Sequence, residues 1–289
     1  MNFPDFNPVL LHIGFISIRW YALAYIAGIL LGWWYATRLI NTPRLWGATT
    51  PPINSKQIDD LVLWITLGVI LGGRIGYVIA YGRGHYFAHP VDAFKIWDGG
   101  MSFHGGFVGV VIAVIGYALA NKINMLRLGD LVAPCAPFGL FFGRIANFIN
   151  GELWGRVTHV PWGIVFCNQR LMDPNTGTCV AGLDPRHPSQ LYEAGLEGIA
   201  LFLILRWATH RAGWLQREGA LAGLFMLFYG LFRIALENVR QPDEGLDNFP
   251  FGLTMGIILS TPMVLVGAWL IWRSRTTVPS IAAAEPPAA

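Results

Sequence analysis

Charge is what this sequence has least of. Asp, Glu, Lys and Arg together make up 13% of the 289 residues, where a soluble domain carries about 25%. That deficit cannot cover a water-facing surface and excludes a soluble globular enzyme. Disorder is excluded by the opposite excess, because apolar types reach 54% and aromatic types 13%, and disordered chains are poor in both. Cysteine is scarce. Three residues, Cys135, Cys167 and Cys179, form no disulfide framework, and no CxxC or Cys/His spacing marks a metal site. The net charge of +3 is too small to imply a nucleic-acid partner. Residues 1–18 contain no Lys or Arg, so there is no basic n-region of a cleavable signal peptide. The first apolar segment is expected to stay as an anchor.

What is present is a series of long apolar stretches. Seven are read as spanning helices, at about 20–37, 61–82, 99–121, 131–151, 189–205, 219–237 and 248–272. A hydrocarbon core of ~30 Å needs about 20 helical residues. Strand-like alternation is absent, so the expected class is all-α, a polytopic membrane protein and not a barrel. Lys and Arg then set the orientation. The connections after spans one, three and five, with the C-terminal tail, carry ten of the twenty basic residues; the other side carries six over longer connections. The denser side is expected to be cytoplasmic, with the N-terminus outside. Residues 1–275 then form one integral membrane domain. Residues 152–188 are its outer head, and 276–289, low in complexity, form a disordered cytoplasmic tail. Glycine pairs four apart, such as Gly72 with Gly76 and Gly105 with Gly109, suit close helix approach in lipid.

An ionisable side chain at membrane depth is costly and marks function by default. The expected set is Arg74, His104, Arg144, Glu193, Glu197, Arg233 and Glu237, and the topology places all seven in the outer half of the bilayer. Tyr229, Arg233 and Glu237 are four apart on one helical face, and Arg144, Asn147 and Asn150 follow one another at threes. A single Arg–Glu pair is ordinary interhelical glue. Three arginines and a histidine at one depth suggest instead a polar chamber for an anion, since guanidinium forks onto phosphate. At that depth the anion is a phospholipid head group. His104, between glycine pairs in GGMSFHGG (99–106), is a candidate general base. No HExxH, GxSxG or P-loop occurs, so neither metal nor cofactor is implied.

Five motifs carry a resemblance: GGRIGYVIAY (72–81), WDGGMSFHGG (97–106), GRIANFINGELWGR (143–156), RHPSQLYEA (186–194) and YGLFRIALENVRQPD (229–243). From about residue 12 to 275 the chain resembles the bacterial phosphatidylglycerol–prolipoprotein diacylglyceryl transferases. The resemblance implies seven transmembrane helices with an outside N-terminus and a small outer head, in the bacterial inner membrane. It implies transfer of the diacylglyceryl unit of phosphatidylglycerol to the lipobox cysteine of a preprolipoprotein, with a thioether formed and glycerol phosphate released. The partners are then phosphatidylglycerol, the lipobox signal peptide and membrane lipid. Tyr21, His104, Arg144, Asn147, Glu152, Gly155, Tyr229, Arg233 and Glu237 match positions that the family uses. On this reading Arg144 and Arg233 hold the phosphate, while Tyr21, Asn147, Glu152 and Tyr229 position the lipid or the arginines, and Glu237 orients Arg233. His104 is the candidate base, with Tyr229 the alternative. The competing class is an anionic-lipid transporter or flippase. None of the three cysteines lies beside a base or an Arg run, so the attacking sulfur is expected from the acceptor. Whether Cys167 and Cys179 pair is open.

Overall fold

A computed structural model of the chain describes residues 1–13, 16–81, 84–95, 100–242 and 253–276. Helices dominate: α1 (Trp20–Ile40), α2 (Ser55–Tyr81), the single turn α3 (His85–Ala88), α4 (Phe103–Ala120), α5 (Met125–Val132), α6 (Ala136–Asn150), α7 (Ser189–Glu193), α8 (Leu201–His210), α9 (Ala220–Leu236) and α10 (Met255–Thr276). A π-helical turn, Ala194–Ala200, joins α7 to α8 without a break. Helix therefore occupies part of each of the seven expected segments. Among the described residues three helices, α1, α2 and α10, are long and apolar enough to cross a membrane, and a fourth crossing results if α5 and α6, bent by 48°, count as one. The expected single helix over 131–151 is thus broken, at Ala133–Cys135, just before Pro137 in the first turn of α6. Proline cannot supply an interior helical N–H, and starting a new helix there avoids the loss. The expected tail, 277–289, and the start of the seventh segment, 248–252, lie outside the described residues.

The expectation of no strands fails at the N-terminus. Val9–Ile13 (β1) and Ile16–Arg19 (β2) pair antiparallel, with Ile13 opposite Ile16, His12 opposite Ser17 and Leu11 opposite Ile18. Branched residues alternate here with His12 and Ser17, whose side chains are 3.0 Å apart; both features favour a ladder over a helix.

Large apolar side chains face outward along the helices. Leu30, Leu71, Ile79, Leu203 and Trp272 are all exposed, as lipid contact requires. The apolar core gathers at one end of the bundle, around Tyr35, Leu39, Trp46, Ile58, Leu128, Leu201 and Leu221. There Asp130, buried on α5, accepts the backbone N–H groups of Gly219, Leu221 and Ala222 at 2.6, 2.9 and 3.0 Å. It caps α9 from another helix, which fills the orphan donors of that N-terminus. Gly219, with φ of +81°, is the left-handed cap residue here and not a helix-packing position.

At the other end sits the head. Phe3, Phe166 and Ala181 are buried there against Phe148, Trp154 and Leu171. Cys167 and Cys179 are disulfide-bonded with Cα atoms 5.4 Å apart, which answers the open question of their pairing.

Glycine decides how α2 and α4 meet. A Cβ built on Gly72 would press on the Gly105 carbonyl oxygen and lie 2.8 Å from Gly109 Cα; one on Gly76 would lie 2.6 Å from Gly105 Cα. By contrast, one on Gly139 meets nothing within 4 Å. Forcing a methyl into a packed contact costs about 1–3 kcal/mol. Gly72→Ala is therefore expected to lower the thermal midpoint of the detergent-solubilised protein clearly, and Gly139→Ala hardly at all; equal midpoints would remove the glycine contact as the cause.

Candidate active site

Three chain segments converge where the bundle meets the head: the C-terminal end of α6, the start of the 189–210 helical run and the C-terminal end of α9. Each enters with ionisable side chains. Arg144 of α6 places Nε 2.6 Å from Glu193 Oε2 and Nη2 3.5 Å from Glu197 Oε2. Glu193 Oε1 lies 3.8 Å from Arg233 Nη1 and 3.8 Å from Arg240 Nε. Arg233 Nη2 is 3.0 Å from Glu237 Oε1, one turn further along α9, and Arg240 Nη1 is 4.0 Å from the same oxygen. Glu193, Glu197 and Glu237 are essentially inaccessible, at 1%, 0% and 3% exposure. Ionised carboxylates survive such burial only when paired.

The pairing is incomplete as hydrogen bonding. Both Glu193 oxygens, Glu197 Oε1, Glu237 Oε1, Gln190 Oε1 and Arg233 Nη1 are buried without an aligned partner. The 2.6 Å contact of Arg144 with Glu193 is an ion contact, not an aligned hydrogen bond. Buried groups left so are uncommon in folded proteins and concentrate at functional sites.

A second cluster continues from α6. Asn147 Nδ2 donates to Tyr21 Oη at 3.2 Å and to Glu152 Oε1 at 2.9 Å, and Asn150 Nδ2 donates to the same Glu152 oxygen at 3.3 Å. Tyr21 stands in the first turn of α1. Gln190 ties the cluster to α7 by donating to the Glu152 carbonyl at 2.5 Å, and Ser189 donates to the Leu153 carbonyl at 3.0 Å. Gly155 lies where three backbones meet. Its N–H donates to the His187 carbonyl at 2.8 Å, it forms a bridge with Arg240, and a Cβ there would press on the Val239 carbonyl oxygen. Only glycine fits. Tyr229 stacks on Phe225 with ring centroids 5.6 Å apart, on the α9 face that carries Arg233 and Glu237.

Of the expected residues, Tyr21, Asn147 and Glu152 meet in one cluster, Arg144, Arg233 and Glu237 in the adjoining one, and Gly155 bridges to Arg240 beside them. His104 has its backbone in the first turn of α4, where Ser102 Oγ accepts from Gly105 N at 3.2 Å; its imidazole lies outside the described atoms. The expected chamber of three guanidiniums is corrected in one member. Arg74 belongs elsewhere, donating to the carbonyls of Ala93 at 2.7 Å, Gly100 at 3.0 Å and Asp92 at 2.5 Å. It lies between the rings of Tyr77 and Tyr86, beside a polar cavity of about 200 Å³. Nearby, bonds from Lys95 and His85 hold the Asp92 carboxyl below the usual range. Arg74 thus ties down the α2–α4 connection. The third guanidinium of the site is Arg240, one of the six basic residues counted in the connections of the less basic side. Its spacing from Arg233 and Glu237 in RIALENVR was the available signal.

Glu193 and Glu197 also take the very pairings that the glue reading allowed. Here, however, one carboxylate serves three arginines, which no helix pair needs for cohesion alone. Among the described residues no group of three His, Cys, Asp or Glu side chains is placed to hold a metal ion.

Residues 8–273 match the prolipoprotein diacylglyceryl transferase family. The chain belongs to that family. A phosphatidylglycerol–prolipoprotein diacylglyceryl transferase of Phenylobacterium zucineum is 59% identical to it over the full length of both chains. Proteins of the same name from Caulobacter vibrioides and Bradyrhizobium diazoefficiens are 60% and 53% identical, over 95% and 94% of this chain and 95% and 92% of their own. In this family member the Asn147 fork is the most exacting contact of the second cluster. Asn147→Asp keeps the shape but sets a carboxylate against Glu152, and an unsatisfied buried partner costs about 1–3 kcal/mol. Turnover is expected to drop at least about tenfold, measured as acceptor modified per minute with thermal stability as the control; a parent-like rate would remove Asn147 from the site.

Proposed function

We propose that the chain transfers the diacylglyceryl group of phosphatidylglycerol to the cysteine thiol of a preprolipoprotein lipobox. The observation that carries this is the coincidence of full-length similarity to transferases of that name with a buried cluster in which Arg144 and Arg233 share Glu193. A phospholipid phosphate and three guanidiniums are a chemical match.

The step is a displacement at carbon. A base takes the proton of the acceptor thiol, whose pKa is about 8.5. The sulfur attacks the glyceryl methylene that bears the phosphodiester oxygen. The S–C bond forms as the C–O bond breaks, and glycerol phosphate leaves with the electron pair. Arg144 and Arg233 stabilise the charge that grows on the departing phosphate. His104 is the base by position in its motif, with Tyr229 the alternative on the face of α9 beside Arg233. Asn147, Glu152 and Tyr21 hold the lipid's glycerol end, and Glu237 aims Arg233. The enzyme supplies no sulfur: Cys167 and Cys179 are bonded to each other, and Cys135 packs against the apolar core.

The decisive assay mixes the purified protein with phosphatidylglycerol and a lipobox peptide and reads the peptide's mass. Arg144→Lys and Arg233→Lys keep the charge but lose the fork, so each is expected to lower turnover by roughly 10²-fold, the scale for losing one oriented donor. If either Lys variant matches the parent, that arginine acts through charge alone.

The membrane reading has its own test. Seven spans are proposed: α1, α2, α4, α5 with α6, the run from α7 through α8, α9 and α10. The head faces out of the cytoplasm, in the bacterial inner membrane. Glu218 and the basic residues near it, such as Arg211 and Arg217, lie at the end of the bundle away from the head, as positive-inside placement requires. A reporter fused after Arg275 should be cytoplasmic, and one inserted between 172 and 178 should be external. An internal signal from the second fusion would invert the site's placement.

A further inference from the structure

Glu193 is assigned no role in the transfer step above, yet its carboxylate reaches three arginines of the site. We infer that it is a positioning residue. Its one carboxylate spaces Arg144, Arg233 and Arg240 and stands between them as the anion that the lipid phosphate displaces. The inference rests on the proposed transfer reaction.

Three observations carry it. Glu193 is the last residue of α7, and the backbone widens into the π-helical turn directly after it. Such turns recur at functional sites because they re-aim side chains that a regular helix would turn away. Here the result is a carboxylate of 1% exposure directed at guanidiniums from α6 and from the end of α9.

The second observation is asymmetry. Glu193 is tight on Arg144, at 2.6 Å, and loose on Arg233 and Arg240, at 3.8 Å each. A contact of 3.8 Å lies beyond hydrogen-bond range but keeps Coulomb attraction. Glu193 Oε1 and Arg233 Nη1 both lack an aligned hydrogen-bond partner. Both carboxylate oxygens are thus held by charge, closely by Arg144 and loosely by Arg233 and Arg240.

The third is occupancy. The three arginines face three carboxylates, those of Glu193, Glu197 and Glu237, so each guanidinium already has an anion within reach. A guanidinium so paired does not meet a phosphodiester as a bare cation. It binds by exchanging one anion for another. As the C–O bond breaks, the phosphate gains a second charge, and the same guanidiniums then bind it more strongly than the ground state. Interactions that grow towards the transition state raise kcat, whereas uniform attraction lowers only KM.

Replacing the carboxylate by its neutral isostere therefore separates two effects. Glu193→Gln makes the cluster one unit more positive than the parent's, so phosphatidylglycerol binds more tightly. It also removes the common spacer, so turnover falls. In the full-length enzyme with phosphatidylglycerol and a lipobox peptide, Glu193→Gln should show KM lower by about threefold or more and kcat lower by roughly tenfold or more. Adding Arg240→Gln takes that unit of charge away again, so KM should return towards the parent while kcat stays low. Glu193→Asp keeps the charge on a shorter arm; its KM should stay within about twofold of the parent and its kcat should fall. Loss of a merely structural ion pair would show as lower stability, without a KM that falls on Glu193→Gln and recovers on adding Arg240→Gln. The inference is overturned if Glu193→Gln leaves kcat unchanged, if it raises KM, or if neither Glu193→Gln nor Glu193→Asp gives a monodisperse, cooperatively unfolding protein. An active parent with an indifferent Glu193→Gln sinks this inference alone, whereas a folded but inactive parent sinks the transfer reading with it.

Discussion

The site depends on one contact, the pairing of Arg144 with Glu193. Arg144 ends its guanidinium in a place with almost no water, and a charge there is tolerable only because a carboxylate lies 2.6 Å away. Breaking a buried pair by removing one member typically costs about 3–5 kcal/mol. Everything else at the head end is arranged around that pair. Glu197 takes a second nitrogen of Arg144, the far oxygen of Glu193 reaches Arg233 and Arg240, and Glu237 holds those two from the other side. The contact also joins α6 to the 189–210 run, so it fixes the floor on which the head residues Glu152 and Gly155 are set.

The two ends of the bundle do different work. Away from the head, apolar side chains interlock and Asp130 pins the first turn of α9. Towards the head, polar groups replace them, and several stay without aligned hydrogen bonds. Between that core and the smaller apolar cluster of the head lies the layer of unaligned polar groups, a placement found where unpaired polarity is tolerated for function. The helices cross from one environment to the other, so Tyr229 and Arg233 are carried on a helix anchored far from the substrate.

Most of this was legible in the sequence because membrane depth makes charge conspicuous. Arg144, Arg233, Glu193, Glu197 and Glu237 stand out in apolar runs, and their spacing gives the shared face. Arg240 did not stand out, since it follows the end of α9 and reads as a loop charge; only its return over Gly155 brings it inward. Arg74 misled for the converse reason. It sits at depth, but its partners are backbone carbonyls of the connection 90–100, and carbonyls have no signature in a sequence. The N-terminal hairpin was missed because eleven residues of mixed Leu, Ile and Ser support either period. The pairing of Cys167 with Cys179 needed the head's fold to bring them together. The break before α6 could have been read from Pro137, had its position in the first turn been weighed above the length of the apolar run.

The scattered origin of the charges has a consequence for how the chain is made. Arg144 is synthesised well before Glu193, and Arg233 and Arg240 later still. A nascent α6 that meets the bilayer alone carries an uncompensated guanidinium, at about 2.5–3.5 kcal/mol for a central position. Its counter-ion arrives only after the whole head segment has been made and moved. In the proposed topology the Arg144 charge of α6 stays without the carboxylates of Glu193 and Glu197 until the 189–210 run is in place. The cluster proposed to serve the substrate is therefore also the one whose ion pairs close only late in synthesis, so assembly and the proposed chemistry draw on the same few side chains.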